Sequence, residues 1–296
     1  MLNVETRLEQ GSERSDPEKL LYFFSLLTSK ETGVFHVWEE EDTKQLPLAQ
    51  CRVQPVDGRS EGSAELLDAE VCSALTHAEA RREAGLRGIE RYASRLGSMV
   101  VPHDTGEFMA FCTGTTFAEC VGRGLEKCLT EELRKRESLQ KNIISRLELE
   151  AVEDETCRFY LKALTTMQME PDIGLGEDVH GFPVVYVRGR NGWYGNSGFT
   201  ITKALRNSLQ QALFQAQNGT DAFDANPVAV ALAKENVQRI IIPAGEDRIA
   251  PDHLKDALNT LKVNQKQVTV YELDIEPAFK QELEGVFGVL LREEEA

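Results

Sequence analysis

AEARREAGLRGIERYASRL (78–96) and AECVGRGLEKCLTEEL (118–133) state one theme twice. Each sets Gly-Leu in a run of small residues and follows it with side chains three apart: Arg87 and Glu90 in the first, Glu126 and Leu129 in the second. Residues three apart share a helix face. The spacing therefore predicts two related helices, over about 76–96 and 116–150. A third stretch, ITKALRNSLQQALFQAQNG (201–219), repeats the small-residue spacing but offers glutamines. It predicts a helix over 202–217, closed by Asn218-Gly219.

Around these helices the chain alternates. Residues 1–15 read as a frayed start. Asp16-Pro17 then opens a helix running to Thr28, with Leu20, Phe23, Phe24 and Leu27 as its apolar stripe. Strands are expected at 33–38, 50–53, 98–101 and 108–111, with a polar loop over 56–68 and the turn Asp104-Thr105-Gly106. A helix is expected over 154–167. The Pro171–Gly181 link is rich in glycine and reads as the internal boundary, giving one domain over 1–296 with lobes at 16–170 and 182–292. A strand at 182–187 leads into the turn-rich segment RGRNGWYGNSG (188–198). The last third reads strand 239–242, helix 252–261, strand 268–273, helix 276–283, strand 286–291: a C-terminal βαβαβ unit. The expected class is α/β (α+β), with helices packed on mostly antiparallel sheets.

Composition limits the function classes. The net charge of −16 over 296 residues disfavours nucleic acid and anionic membrane surfaces, which need clustered cations. No apolar run approaches the roughly 20 residues of a bilayer span. The polar start MLNVETRLEQGSERSD does not read as a signal peptide, so a cytoplasmic location is expected. The cysteines at 51, 72, 112, 120, 128 and 157 form no CxxC pair and read as small buried hydrophobes. The histidines at 36, 77, 103, 180 and 253 share no metal-ligand spacing, and His103-Asp104 reads as a packed ring beside a turn-capping carboxylate. Trp193-Tyr194, aromatic in a glycine-rich turn, is a candidate interface.

The order of these pieces resembles the YcaO family, whose members include ATP-dependent cyclodehydratases that form thiazoline and oxazoline rings in ribosomal peptides. The likeness rests on the strand Gly33–Trp38, the run Ile89-Glu90-Arg91-Tyr92, the Gly-Leu-Glu helix, GFPVVYVRGRNGWYGNSGFTITKAL (181–205) and the closing VTVYELDIEP and GVFGVLL segments. It implies a nucleotide site in which glutamates of such helices hold magnesium and the ATP phosphates. Magnesium demands hard oxygen ligands.

This chain departs from that pattern. The places of the first signature (Ser, Glu, Glu, Arg) hold Glu83, Arg87, Glu90 and Arg91. The paired glutamates of the second are Glu126 and Leu129. Gln210, Gln211, Gln215 and Gln217 of the third helix are followed by no arginine, and Cys72-Ser73-Ala74 stands where many members have Gly-Lys-Gly. Arg87 removes an oxygen donor and adds a cation. The resemblance so altered implies a non-catalytic YcaO-like subunit or domain, with no cofactor, in maturation of a thiazole/oxazole-modified peptide or bacteriocin. Its partners would be the precursor peptide or a peptide-modifying enzyme complex, or a second copy as a homodimer, with no nucleic acid and no membrane. Such regions also occur fused to ThiF-like domains. The alternative is an active cyclodehydratase using ATP and Mg through Glu83, Glu90 and Glu126. The spacing also leads to the expectation that Arg87, if buried, is salt-bridged to Glu90 or Glu126.

Overall fold

The computed structural model describes residues 2–9, 16–60, 64–97, 107–139, 142–219, 227–246 and 249–294. The strand expected at 98–101, the turn at 104–106 and His103-Asp104 lie outside the described residues. The chain divides into two compact units, each discontinuous in sequence. The first is Met1–Cys128, Ile249–Lys255 and Gln267–Ala296; the second is Leu129–Arg248 and Asp256–Lys266. The link at 171–181 lies inside the second.

In the first unit, α2 (Pro17–Leu26) follows the Asp16 cap, whose carboxylate accepts from the Glu18 amide. Strands β1 (Phe35–Glu39), β2 (Ala49–Pro55) and β3 (Glu70–Ala74) form an antiparallel sheet in that order. Helix α3 (His77–Gly97) packs on β2 and β3 and against α2. Its glycines let it do so. A Cβ at Gly85 would lie 2.3 Å from the Phe24 ring, and one at Gly88 2.6 Å from the Phe35 ring. The core between them holds Leu20, Phe24, Phe35, Trp38, Val53, Leu86 and Ile89. Strand β4 (Met109–Gly114) leads into α4 (Phe117–Leu139).

The strand–helix pair β3–α3 recurs as β4–α4. Cys72, Thr76, Ala78 and Glu79 of the first match Cys112, Thr116, Ala118 and Glu119 of the second. In both, the threonine hydroxyl accepts from the glutamate amide three residues on, at 3.2 Å, and caps the helix. Gly124 repeats the close approach, with a would-be Cβ 2.5 Å from Val289 of β11 (Gly285–Glu293). β11 pairs antiparallel with β4, in a sheet ordered β10-β11-β4 whose β10 is Lys266–Leu273.

The second unit carries a five-stranded sheet in the order β8-β7-β6-β5-β9. These strands are β5 (Asn142–Val152), β6 (Ile173–Leu175), β7 (Val184–Arg188), β8 (Trp193–Ser197) and β9 (Val230–Ile242). β5 and β9 run parallel; the remaining registered pairs are antiparallel. The turn-rich segment at 188–198 forms the turn and second strand of the β7–β8 hairpin, and Gly192, at φ 149°, supplies the turn conformation that favours glycine. Helix α6 (Ile201–Asn218) packs on β7 and β8, and α5 (Glu155–Thr166) packs on α6. No described helix is long and apolar enough to cross a membrane.

Three expectations are corrected. The helix expected over 116–150 stops at Leu139, and Asn142–Val152 is strand. Arg146-Leu147-Glu148-Leu149-Glu150 alternates with period two, and the charges at 146, 148 and 150 pass for a helix surface only until the branched pair Ile143-Ile144 is weighed. The frayed start contains α1 (Val4–Glu9), held by buried Val4 and Leu8 and by a 3.1 Å ion pair from Arg7 to Glu284. Between the polar loop expected at 56–68 and α3 lies β3, a strand outside those expected. The helix expected at 276–283 is a 3-10 turn, Pro277–Gln281. The C-terminal alternation holds, with α7 (Pro251–Val263) after β9, but its strands are shared between two sheets.

A buried ion pair ties the second unit together. Asp154 caps α5 by accepting from the Cys157 amide at 2.8 Å, and takes the Arg206 Nε of α6 at 2.9 Å and the Gly245 amide at 3.0 Å. Arg206 in turn donates to the carbonyls of Gly245 and Glu246 at 2.8 and 3.1 Å. Burial pushes the Asp154 carboxyl up, but the Arg206, Cys157 and Gly245 donors overcome this and hold it well below the usual range. Asp154→Ala leaves the buried Arg206 without its counter-charge, and denaturant melts are expected to show a loss of about 3 to 5 kcal/mol. Asp154→Ala combined with Arg206→Met is expected to recover part of that loss.

Candidate functional site

The residues singled out on α3 and the first half of α4 meet in the first unit as one chain of charges. Arg82 reaches Glu119 and, at 3.1 Å, Glu83. Glu83 takes Arg123 Nη1 at 2.7 Å. Arg123 Nε reaches Glu90 at 3.0 Å, and Lys127 Nζ reaches Glu90 at 2.7 Å. From Glu119 through Arg82, Glu83, Arg123 and Glu90 to Lys127 the sign alternates at every step, so each charge has an opposite neighbour.

Glu90 is the centre of this chain, with only 2% of its side chain exposed. Oε1 accepts from Arg123 Nε at 3.0 Å and from the Thr113 amide of β4 at 3.3 Å. Oε2 accepts from Lys127 Nζ at 2.7 Å and from Arg123 Nη2 at 3.5 Å. A carboxylate offers about four lone-pair directions, and protein donors meet Glu90 in all of them. Burial pushes its pKa up, but the charges of Arg123, Lys127 and Arg87 overcome that and bring it to about 2. Burial likewise raises Glu83, and Arg123 with Arg82 pulls it below the ordinary carboxylate value. Lys127 is lowered by burial, against the pull of Glu90, and its ammonium also donates to the Phe111 carbonyl at 2.6 Å.

Arg87 makes the expected ion pair with Glu90 only at long range and is shared with Glu70. Its side chain is 41% exposed, its nearest carboxylate is Glu70 of β3 at 3.6 Å, and Glu90 is 4.0 Å away. The cations that answer Glu90 are Arg123 and Lys127, which sequence reasoning missed. Their signal was in view: they are four apart on α4, so their heads converge on one height of the neighbouring helix. Arg91 and Glu126 are half-buried on α3 and α4, and Leu129 is fully buried. Tyr92 completes the Glu-Arg-Tyr run by donating to Glu276 at 3.0 Å and packing edge-on against Phe279. In the second unit Tyr194 is buried beneath the β7–β8 hairpin, while Trp193 is half-buried and its backbone bridges to Val228.

A divalent cation with a triphosphate does not fit these residues. Metal binding requires free carboxylate lone pairs; Glu90 spends its four on Arg123, Lys127 and the Thr113 amide, and each Glu83 oxygen already faces an arginine, Arg82 or Arg123. Among the described residues no group of three or more His, Cys, Asp or Glu side chains is placed to hold a metal ion.

Two stability tests follow. Arg123→Ala strands two carboxylates and is expected to cost about 3 to 5 kcal/mol in denaturant melts. Arg87→Ala, at an exposed side chain with long contacts, is expected to cost under about 1 kcal/mol. The pH test has a definite sign. The folded pKa of Glu90 is depressed, so its stabilisation is complete above the ordinary carboxylate value and is lost as pH falls toward about 2. The stability gap between wild type and Glu90→Gln is expected to be widest near pH 6 and to close between roughly pH 4.5 and 2. A gap independent of pH would show that the Glu90 charge contributes nothing.

No protein-family model and no curated protein matches the sequence. Solved structures do match the fold. YcaO from Methanopyrus kandleri, in a structure bound with AMPPCP and Mg2+, is similar with a TM-score of 0.59 and 13% identity over 95% of this chain and 91% of that chain. A heterocyclase in complex with substrate and cofactor is similar with a TM-score of 0.60 and 12% identity. That match covers 98% of this chain and 56% of the heterocyclase, so the chain spans about half of that protein. The shared layout of helices and sheets across nearly the whole chain, at this level of identity, establishes that the chain has a YcaO-like fold.

Proposed function

We propose that this chain is a non-catalytic YcaO-like subunit or domain acting in maturation of a ribosomally made thiazole/oxazole-modified peptide of the bacteriocin kind. In this reading it binds the precursor peptide or a partner modification enzyme and does not itself turn over ATP. The observation that carries the reading is the saturation of Glu90. The signature carboxylate that the sequence retains is met by four protein donors, three of them from the cationic side chains Arg123 and Lys127 of α4. The arginine at position 87 adds positive charge where the resemblance calls for a ligand. An ion-pair chain thus replaces the need for a bound cation: it neutralises the buried carboxylates from within.

The second reading, an ATP- and Mg-dependent cyclodehydratase working through Glu83, Glu90 and Glu126, is favoured by the YcaO neighbour solved with AMPPCP and Mg2+. The two readings differ in one measurement. Under the first, millimolar Mg-ATP leaves the melting temperature of the full chain unchanged and gives no heat in titration calorimetry. A site with a dissociation constant a hundredfold below the ligand concentration would instead stabilise by about 2.7 kcal/mol, and that shift would overturn the first reading. Under the first reading a Cys/Ser/Thr-rich precursor peptide is expected to bind the chain without ATP.

A further inference from the structure

Strands β2 and β3 set two thiols opposite one another. Cys51 is the register partner of Cys72 in the antiparallel pair, so both side chains leave the sheet on the same face. Cys51 is fully buried in the core, and Cys72 packs against that same core while remaining partly exposed. Directly opposite residues of an antiparallel ladder have Cα atoms about 4.5 to 5.5 Å apart. That lies inside the window of about 4.4 to 6.8 Å that a disulfide spans.

The remaining cysteines are placed otherwise. Cys112, Cys120, Cys128 and Cys157 are all buried, and the sulfurs of Cys112 and Cys128 donate to the Phe287 and Val289 carbonyls at 3.4 and 3.6 Å. Cys72 is the one cysteine of the chain that is not fully buried. It sits in the field of Glu70, Arg87 and Glu83.

We propose that Cys51 and Cys72 form a dithiol site that accepts a small disulfide of the oxidised-glutathione class and closes to an intramolecular disulfide. The Cys72 thiolate attacks one sulfur of the small disulfide. A Cys72 mixed disulfide forms and one small thiol leaves, carrying the proton. The Cys51 thiolate then attacks Cys72 Sγ, the Cys51–Cys72 bond forms, and the second small thiol leaves. Two protein thiols are oxidised by two electrons and one disulfide is reduced to two thiols, so the exchange balances. Burial holds the Cys72 thiol well above the ordinary cysteine range, so the exchange runs faster as the solution is made more alkaline.

The test treats the full folded chain with oxidised glutathione at mildly alkaline pH, quenches with acid, alkylates free thiols and maps the peptides by mass spectrometry. The expected result is a linked pair of peptides joining Cys51 to Cys72, loss of alkylation at both, and its recovery after dithiothreitol. Cys51→Ala removes the second step and is expected to trap glutathione on Cys72. Cys72→Ser is expected to abolish both products and leave Cys51 free, which keeps the proposal testable should Cys51→Ala fail to fold. A glutathione adduct that persists on Cys72 in wild type, Cys51 still alkylatable after oxidation, or Cys51 linked to another cysteine in Cys72→Ser would each overturn it.

Discussion

A carboxylate taken out of water must be met by donors on every side, and in this protein the Glu90 carboxylate sets that condition for the parts around it. Its oxygens take donors from α4 through Arg123 and Lys127, and from β4 through the Thr113 amide. Lys127 in turn donates to the β4 carbonyl of Phe111. One buried acid thus fixes the spacing of α3, α4 and β4. The net energy of such a network is small when intact, because desolvation cancels most of the Coulombic gain. Its influence lies in what it forbids: any arrangement that withdraws one partner leaves an uncompensated charge. The glycines act in the same place by another route. Gly85, Gly88 and Gly124 bring the two helices so close to Phe24, Phe35 and Val289 that a methyl group would collide.

That constraint bears directly on chemistry. A site that holds a metal keeps oxygen lone pairs facing a space that only a cation can fill. Here the space is filled by guanidinium and ammonium groups of the fold, and the carboxylates have become acceptors in an internal ladder. Within such a ladder the burial of Glu90 is compensated by side chains of the fold itself.

Much of this was legible in the sequence. The Gly-Leu helices, the Asp16-Pro17 start, the β7–β8 hairpin with Gly192 and the C-terminal alternation each carry a local signal that tertiary contacts reinforce. What was not legible depended on contacts distant in sequence. β5 reads as the tail of a charged helix because its exposed positions carry Arg146, Glu148 and Glu150, and only its pairing with β9 decides the matter. α1 is too short to announce itself and is settled by Arg7 meeting Glu284. In the site, Glu83 and Glu90 were found and their partners were not. The search ran along α3, where Arg87 is the nearest cation in sequence, while Glu90 faces α4.

The repeat explains why the partner had to come from there. When β3–α3 is laid on β4–α4 by their shared Cys, Thr, Ala and Glu, Glu83 matches Arg123 and Arg87 matches Lys127. Glu83 and Arg123 stand at matching positions and lie close enough to pair, so like charges there would repel. At the first position the two copies differ in sign, and Glu83 and Arg123 meet at 2.7 Å. At the second both copies carry a cation, and the structure separates them by use. Lys127 turns inward to Glu90 and Phe111, while Arg87 turns outward toward Glu70 and solvent. With Arg123 and Lys127 seated on Glu90 at 3.0 and 2.7 Å, Arg87 stays 4.0 Å away and takes Glu70 as its nearer partner, so the two copies differ at the first position by sign and at the second by partner.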